Sequence, residues 1–103
     1  MKQYTTPEQT AKLIELGFES PQRNHIIEWN GTYKGNYSIG ELIEMLPEYI
    51  EDKGAAIDIG FDMFSWVIAY LNIPQEYVYC TSGLELIDAL YDMVLRLKEE
   101  GVI

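Results

Sequence analysis

The segment CTSGLELIDALYDMVLRLKEEGVI, residues 80–103, limits what this chain can fold into more than any other stretch. Ile87, Leu90, Val94 and Leu97 recur at spacings of three and four, and Leu86, Tyr91, Met93 and Leu95 widen the stripe. That period predicts one amphipathic helix. Ser82 and Glu85 form the pattern S-x-x-E, which predicts a capping box: the hydroxyl takes an orphan amide while the carboxylate reaches back to the cap residue. Gly101 stands where a left-handed residue stops a helix, with Val102 free to fold back on the last turn. A stripe this wide must be buried, and a sheet is the expected cover.

The same punctuation recurs upstream. Thr6, Pro7, Glu8 and Gln9 make a second box with proline at the first helical position, where its missing amide is harmless. The helix it opens carries Ala11, Leu13, Ile14 and Leu16, pairs Glu8 with Lys12, and ends at Gly17 with Phe18 packing back. Ser38 and Glu41 make a third box, opening a helix with Leu42, Ile43, Met45 and Leu46. Pro47 ends that helix or caps a further short turn through Tyr49 and Ile50, and Glu48, Glu51, Asp52, Lys53 and Gly54 read as a polar loop.

Between these helices the period changes. His25–Trp29 reads as a strand by its β-branched and aromatic content, whereas Asn30–Asn36 is either a wide turn or a ragged continuation. Ala55–Phe61 alternates Ile57, Ile59 and Phe61 with Ala56, Asp58 and Gly60, the pattern of a half-buried strand. Asp62, Met63 and Phe64 turn the chain. Ser65–Asn72 is apolar on both parities, as in a central strand; a helix through 61–72 competes, but Trp66, Val67, Ile68 and Tyr70 favour a pleated surface. After a break at Ile73-Pro74-Gln75, Glu76–Thr81 reads as an edge strand. Short loops between successive strands imply antiparallel pairing. The expectation is one α+β domain over 1–103, with a sheet of three to four strands, three helices on one face, and the order α-β-α-β-β-(β)-α.

Composition narrows the function classes. With 17 acidic against 7 basic residues and a net charge of -10, the surface repels nucleic acid and anionic lipid. Direct nucleic-acid binding is not expected. No apolar run approaches the ~20 residues of a membrane span, no signal-type run is visible, and the single Cys80 has no partner for a disulfide, so the expected setting is the cytoplasm. At 48% hydrophobic residues the chain can build its core without metals or disulfides.

Catalytic patterns are poor. Cys80 and His25 could meet on neighbouring strands, yet neither has the local context of an activated nucleophile, and a lone strand cysteine is ordinarily buried and inert. One Cys and one His cannot build a zinc site, and Asp58 with Asp62 lacks the dense oxygen ligands of a calcium loop. Asn30–Gly35 holds two glycines and a lysine, but its spacing is neither a P-loop nor a dinucleotide fingerprint. No catalytic residue, metal or cofactor is therefore expected. Tyr33, Tyr37, Tyr49, Tyr77 and Tyr79 fall in loops or on an edge, and with Glu48, Glu51 and Asp52 they are the candidate partner-binding residues, since tyrosine is a common interface anchor. Glu85, Asp88 and Asp92 share one helical face, and Asp92 is spaced to pair with Arg96.

The segments TAKLIELGFE, YSIGELIEMLP and ELIDALYDMVLRLKEEGVI resemble small uncharacterised proteins encoded in gut bacteria of the Bacteroides group, often in prophages and mobile elements. The resemblance covers the three helices and implies an α+β fold and a mobile-element origin, with no activity or catalytic residue to carry over. The expected function is a non-enzymatic module that binds another protein, with a homodimer through Glu76–Thr81 or 65–72 as one form. Two alternatives stand beside it: an inhibitor whose Glu41–Asp62 acids mimic nucleic acid to occupy a basic host protein, and a small enzyme using His25, Cys80 or Asp58.

Overall fold

In a computed structural model of the chain, residues 2–19, 26–27, 33–34, 36–72 and 76–103 are described, at 26–27 and 33–34 by backbone alone. The elements are α1 (Pro7–Glu15), β1 (Ile26–Ile27), β2 (Tyr33–Lys34), α2 (Ile39–Met45), β3 (Tyr49–Ile50), a 3-10 turn (Glu51–Lys53), β4 (Ala55–Asp62), β5 (Ser65–Leu71), β6 (Tyr77–Gly83) and α3 (Leu86–Glu99). β1 and β2 form a small antiparallel pair, and β3-β4-β5-β6 form a four-stranded antiparallel meander. The fold is α+β, as expected.

Two helices start as their sequences dictate. Thr6 Oγ1 accepts the Gln9 amide at 3.1 Å while Gln9 Oε1 accepts the Thr6 amide at 2.9 Å. Ser38 and Glu41 repeat the exchange at 3.1 and 3.0 Å. The C-termini of α1 and α3 close the same way. Gly17, at φ +101°, donates to Ile14 O, and Phe18 donates to Leu13 O; Gly101, at φ +76°, donates to Lys98 O, and Val102 to Leu97 O. Those paired bonds are the Schellman motif, which satisfies the carbonyls a helix end leaves open.

The box expected at Ser82 and Glu85 does not form. β6 runs on through Ser82, which pairs opposite Val67, and to Gly83 opposite Trp66. Ser82 is used by the sheet ladder, so α3 begins later, with Glu85 as its cap residue and no side-chain cap. Glu85 instead accepts the Lys2 backbone amide at 3.0 Å, and Asp88 accepts Lys2 Nζ at 3.2 Å and Gln9 Nε2 at 3.0 Å. The N-terminal residues are thus held by the acids at the start of α3, where the helix dipole also favours negative charge. Of the two readings at Pro47, the first holds: α2 ends before it, and Tyr49 and Ile50 form strand β3, paired with Ala56 and Ala55, rather than a further turn. Two paired residues are too few to leave a period for the sequence to show.

The core lies between the sheet and α3. Residues directly opposite in antiparallel strands share a face, so the register sorts the sheet. Ala55, Ile57, Ile59, Phe61, Trp66, Ile68, Tyr70, Tyr79 and Thr81 point to the helix side. Ile68, Tyr70, Ile87, Leu90, Met93, Val94 and Leu97 are fully buried there, joined by Leu13 from α1 and Leu42 from α2. Thr81 Oγ1 donates to Ala89 O at 2.9 Å, fastening α3 to β6. Tyr70 donates its hydroxyl to Pro47 O at 2.8 Å, and burial pushes its pKa up to about 12. β5 is an inner strand, paired with β4 and β6, with Val67 and Leu71 half-buried on its other face, which explains its apolar character on both parities.

Charges on α3 depart from the expected pairing. Arg96 does not turn toward Asp92; its Nε lies 3.9 Å from Glu100 Oε1 and its guanidinium sits 5.5 Å from the centre of the Tyr79 ring. Burial, and then the nearby Asp88 carboxylate, hold the Asp92 pKa above its ordinary value. A carboxyl with a raised folded pKa binds its proton more tightly when folded, so its contribution to stability is present at low pH and is lost as pH rises past the ordinary Asp range. Asp92→Asn is therefore expected to raise the melting temperature at pH 7 and to leave it unchanged once Asp92 is protonated, measured as paired melts across that range.

Candidate functional site

The structure separates the eight candidate partner-binding residues into three groups. Tyr37 and Tyr79 are buried, at 1% and 8% exposure, and are not surface anchors. Tyr37 lies between α1 and α2: its hydroxyl donates to Glu19 O, its amide to Thr5 Oγ1 at 3.0 Å, and its carbonyl accepts the Thr5 amide at 2.9 Å. Beneath it Thr5 and Thr10 are buried with hydroxyls 2.7 Å apart, and Thr10 Oγ1 lies 2.7 Å from Asn36 Oδ1. Tyr79 meets Tyr70 edge to face at 6.5 Å under Arg96. Both tyrosines are core residues, Tyr37 with its hydroxyl bonded to a backbone carbonyl and Tyr79 with its ring packed between Tyr70 and Arg96, a role that leaves the same mark in sequence as an interface tyrosine.

Tyr49, Glu48, Glu51 and Asp52 are brought together and exposed on β3 and the 3-10 turn. Tyr49 stands between two depressions. One, of about 480 Å³, runs to the C-terminal end of α3 and includes Glu51, Asp52, Lys53, Tyr79 and Glu100. The other, of about 360 Å³, lies over Ala56, Asp58 and Leu71. Tyr77 is exposed on β6, away from this group, and the side chain of Tyr33 lies outside the described residues.

The catalytic candidates are not assembled into a described site. His25 lies outside the described residues, as do Asn30, Gly31 and Gly35 of the glycine-bearing loop and the break at 73–75. Cys80 is exposed rather than buried, because its parity puts it opposite Ala69 on the face away from α3. Asp58 and Asp62 are exposed on that same face of β4, two places either side of Gly60. Among the described residues no group of three or more His, Cys, Asp or Glu is placed to hold a metal ion, and no helix is long and apolar enough to cross a membrane.

The feature that sequence reasoning missed is the exposed apolar tip of the β4–β5 hairpin. α3 runs back over β6 and β5, so cover is lost along β4: exposure climbs from Ala55 at 0% through Ile59 at 37% to Phe61 at 59%. Phe61 stacks edge to face on Trp66, ring centres 5.1 Å apart, and beyond them Met63 and Phe64 are 80% and 82% exposed. Leu84, at the same end of the sheet, is 78% exposed. Asp62 pairs with Ser65, so Met63 and Phe64 form a two-residue turn in which Met63 alone has positive φ, +56°. That position normally belongs to glycine, and a side chain there costs about 1–2 kcal/mol. Backbone strain of this kind persists only where the surrounding structure over-determines it, and it clusters at functional sites. Met63→Gly is expected to stabilise the fold by about 0.5–1 kcal/mol, the relieved strain less the added freedom of glycine in the unfolded chain, read from denaturant melts with an unchanged m-value. The signal available in sequence was the absence of Gly, Asn or Asp from the turn positions of D-M-F-S.

No family model matches the chain, and neither a curated protein nor a solved structure matches it.

Proposed function

We propose that this chain is a non-enzymatic module that binds another protein through the β4–β5 hairpin tip, and that it belongs to a phage or mobile element, the origin its sequence resemblance implies. The observation that carries the reading is the pair Met63 and Phe64, both held in the solvent, with Met63 in a backbone conformation that disfavours it. Neither packs in the core, so neither is explained by stability. Phe61 and Leu84 are exposed at the same end of the sheet, with half-buried Trp66 against the Phe61 ring, and exposed apolar surface of this kind marks interaction sites. Burying each large side chain on a partner would contribute about 1.5–3 kcal/mol before the entropy of association. Tyr49 lies elsewhere on the sheet and adds an aromatic beside the acids of the 3-10 turn.

The test is a double substitution, Met63→Ser with Phe64→Ser, which leaves the core intact. Affinity capture from native-host cells, with both forms melting at matched temperatures, is expected to recover a partner on the original chain and lose it on the variant. Equal recovery would overturn the reading, as would turnover of a substrate by the purified protein in hydrolase and nucleotide screens.

A further inference from the structure

The outer edge of β4 leaves backbone groups facing outward. The Ile57 amide donates to Glu48 O at 3.0 Å, so odd-numbered residues of β4 point their amides to the β3 side. β3 pairs with Ala55 and Ala56 and then stops. The amides of Ile59 and Phe61 point to the same side, where no described strand of the sheet lies. This open edge is two-faced. Toward α3 it carries the exposed apolar side chains of Ile59 and Phe61; on the other face it carries Asp58 and Asp62, with Gly60 leaving open space between them.

We infer that this edge takes up an extended segment of a partner protein that reads basic, apolar, any residue, apolar, basic, added as a strand end to end with β3. The inference rests on the protein-binding reading above and names the chemistry of the partner. Backbone pairing at Ile59 and Phe61 supplies the affinity common to strand addition, and the alternating faces supply the specificity. Opposite Ile59 and Phe61 the incoming strand presents apolar residues. Opposite Asp58 and Asp62 it presents lysine or arginine, whose long stems fit the gap over Gly60. A second copy of this chain is a poor occupant. Self-pairing centred on Gly60 sets Asp58 of each copy against Asp62 of the other, and like charges opposite one another are destabilising. No strand of the four-stranded sheet carries a lysine or an arginine. The two aspartates therefore reject copies of the same edge and admit a cationic strand.

The experiment titrates the full chain, labelled with 15N, with the peptide acetyl-Ser-Lys-Val-Thr-Val-Lys-Ser-amide. Three comparisons accompany it: a glutamate-for-lysine peptide, a peptide N-methylated at both valine amides, and one methylated at the threonine amide. The lysine peptide is expected to shift the Ile59 and Phe61 amides and to bind about 10-fold more tightly than the glutamate form, by the sum of two reversed cross-strand charge pairs. One methylation pattern should abolish binding and the other leave it, because alternate amides of a strand face opposite sides. On the protein, Asp58→Asn with Asp62→Asn should remove most of the charge preference. Ile59→Pro should remove binding while leaving the β4–β5 ladder paired, since only the outward amide is lost.

Equal affinity for lysine and glutamate peptides, indifference to both methylation patterns, shifts confined to Tyr77–Gly83, or no binding at all would each overturn the inference. So would sedimentation of a dimer that Ile59→Pro dissociates, which would make a second copy the occupant. If the peptide fails while the Met63 and Phe64 variant still loses its captured partner, the edge is wrong and the module reading stands. If both fail, both fall.

Discussion

Tyr37→Ala is expected to lower stability by about 3–5 kcal/mol, the range for truncating a large buried aromatic. A chain of 103 residues has about 5–15 kcal/mol in total, so this one change removes a fifth or more. The ring is 1% exposed, and its hydroxyl and backbone tie Glu19 and Thr5 to the start of α2. Truncation opens the cavity and strands the Glu19 carbonyl together. Thermal melts should show a loss of about 12–25 °C by the usual scaling for small domains. Tyr49→Ala, at an exposed position, should change the melt by no more than about 0.5 kcal/mol. Similar losses for the two would contradict the division of the tyrosines into core and surface.

Leu90→Ala is expected to cost about 3–4 kcal/mol, because Leu90 is fully buried in the middle of the α3 stripe. The same helix supplies Ile87, Met93, Val94 and Leu97 around it, so little can move in to fill the space. Denaturant titration gives the comparison that matters here. Phe64→Ser, one of the largest exposed side chains replaced by a small polar one, should fall within about 0.5 kcal/mol of the original chain. A large loss at Phe64 would mean that the tip is part of the fold, and the reason for regarding it as a binding feature would disappear.

Much of the architecture was legible because it rests on local rules. The boxes at Thr6 and Ser38, the glycines at 17 and 101, and the period-two run through Ile57, Ile59 and Phe61 each state their structure within a few residues. Preference for a strand over a helix at 65–72 was decided by Trp66, Val67, Ile68 and Tyr70, and β5 occupies that stretch. Ser82 misled because a capping box and a strand end use the same residue type, and the ladder to Val67 takes priority. The expected dimer edge at 65–72 is occupied, since β5 is paired on both sides; Glu76–Thr81 falls largely in β6, which is an edge.

The candidate site was less legible for a different reason. Alternation tells which residues of β4 share a face, but not how far α3 will cover that face. Phe61 and Ile57 are equivalent in the pattern and opposite in outcome, one exposed and the other packed on the core. Tyr37 and Tyr49 pose the same difficulty, being indistinguishable until the chain around them is placed.

Every strand of the β3-β4-β5-β6 sheet pairs with its neighbour in sequence, and β4 and β5 are joined by only two residues. Such a meander can form from one end of its ladder to the other with little loop-closure entropy, so hairpin formation belongs early on the folding route. The strain at Met63 then falls on a step that precedes the docking of α3. Its cost is kinetic as well as thermodynamic: Met63→Gly should speed refolding and leave the unfolding limb of the chevron nearly where it was. The original chain accepts slower assembly in exchange for what its hairpin tip presents once assembled.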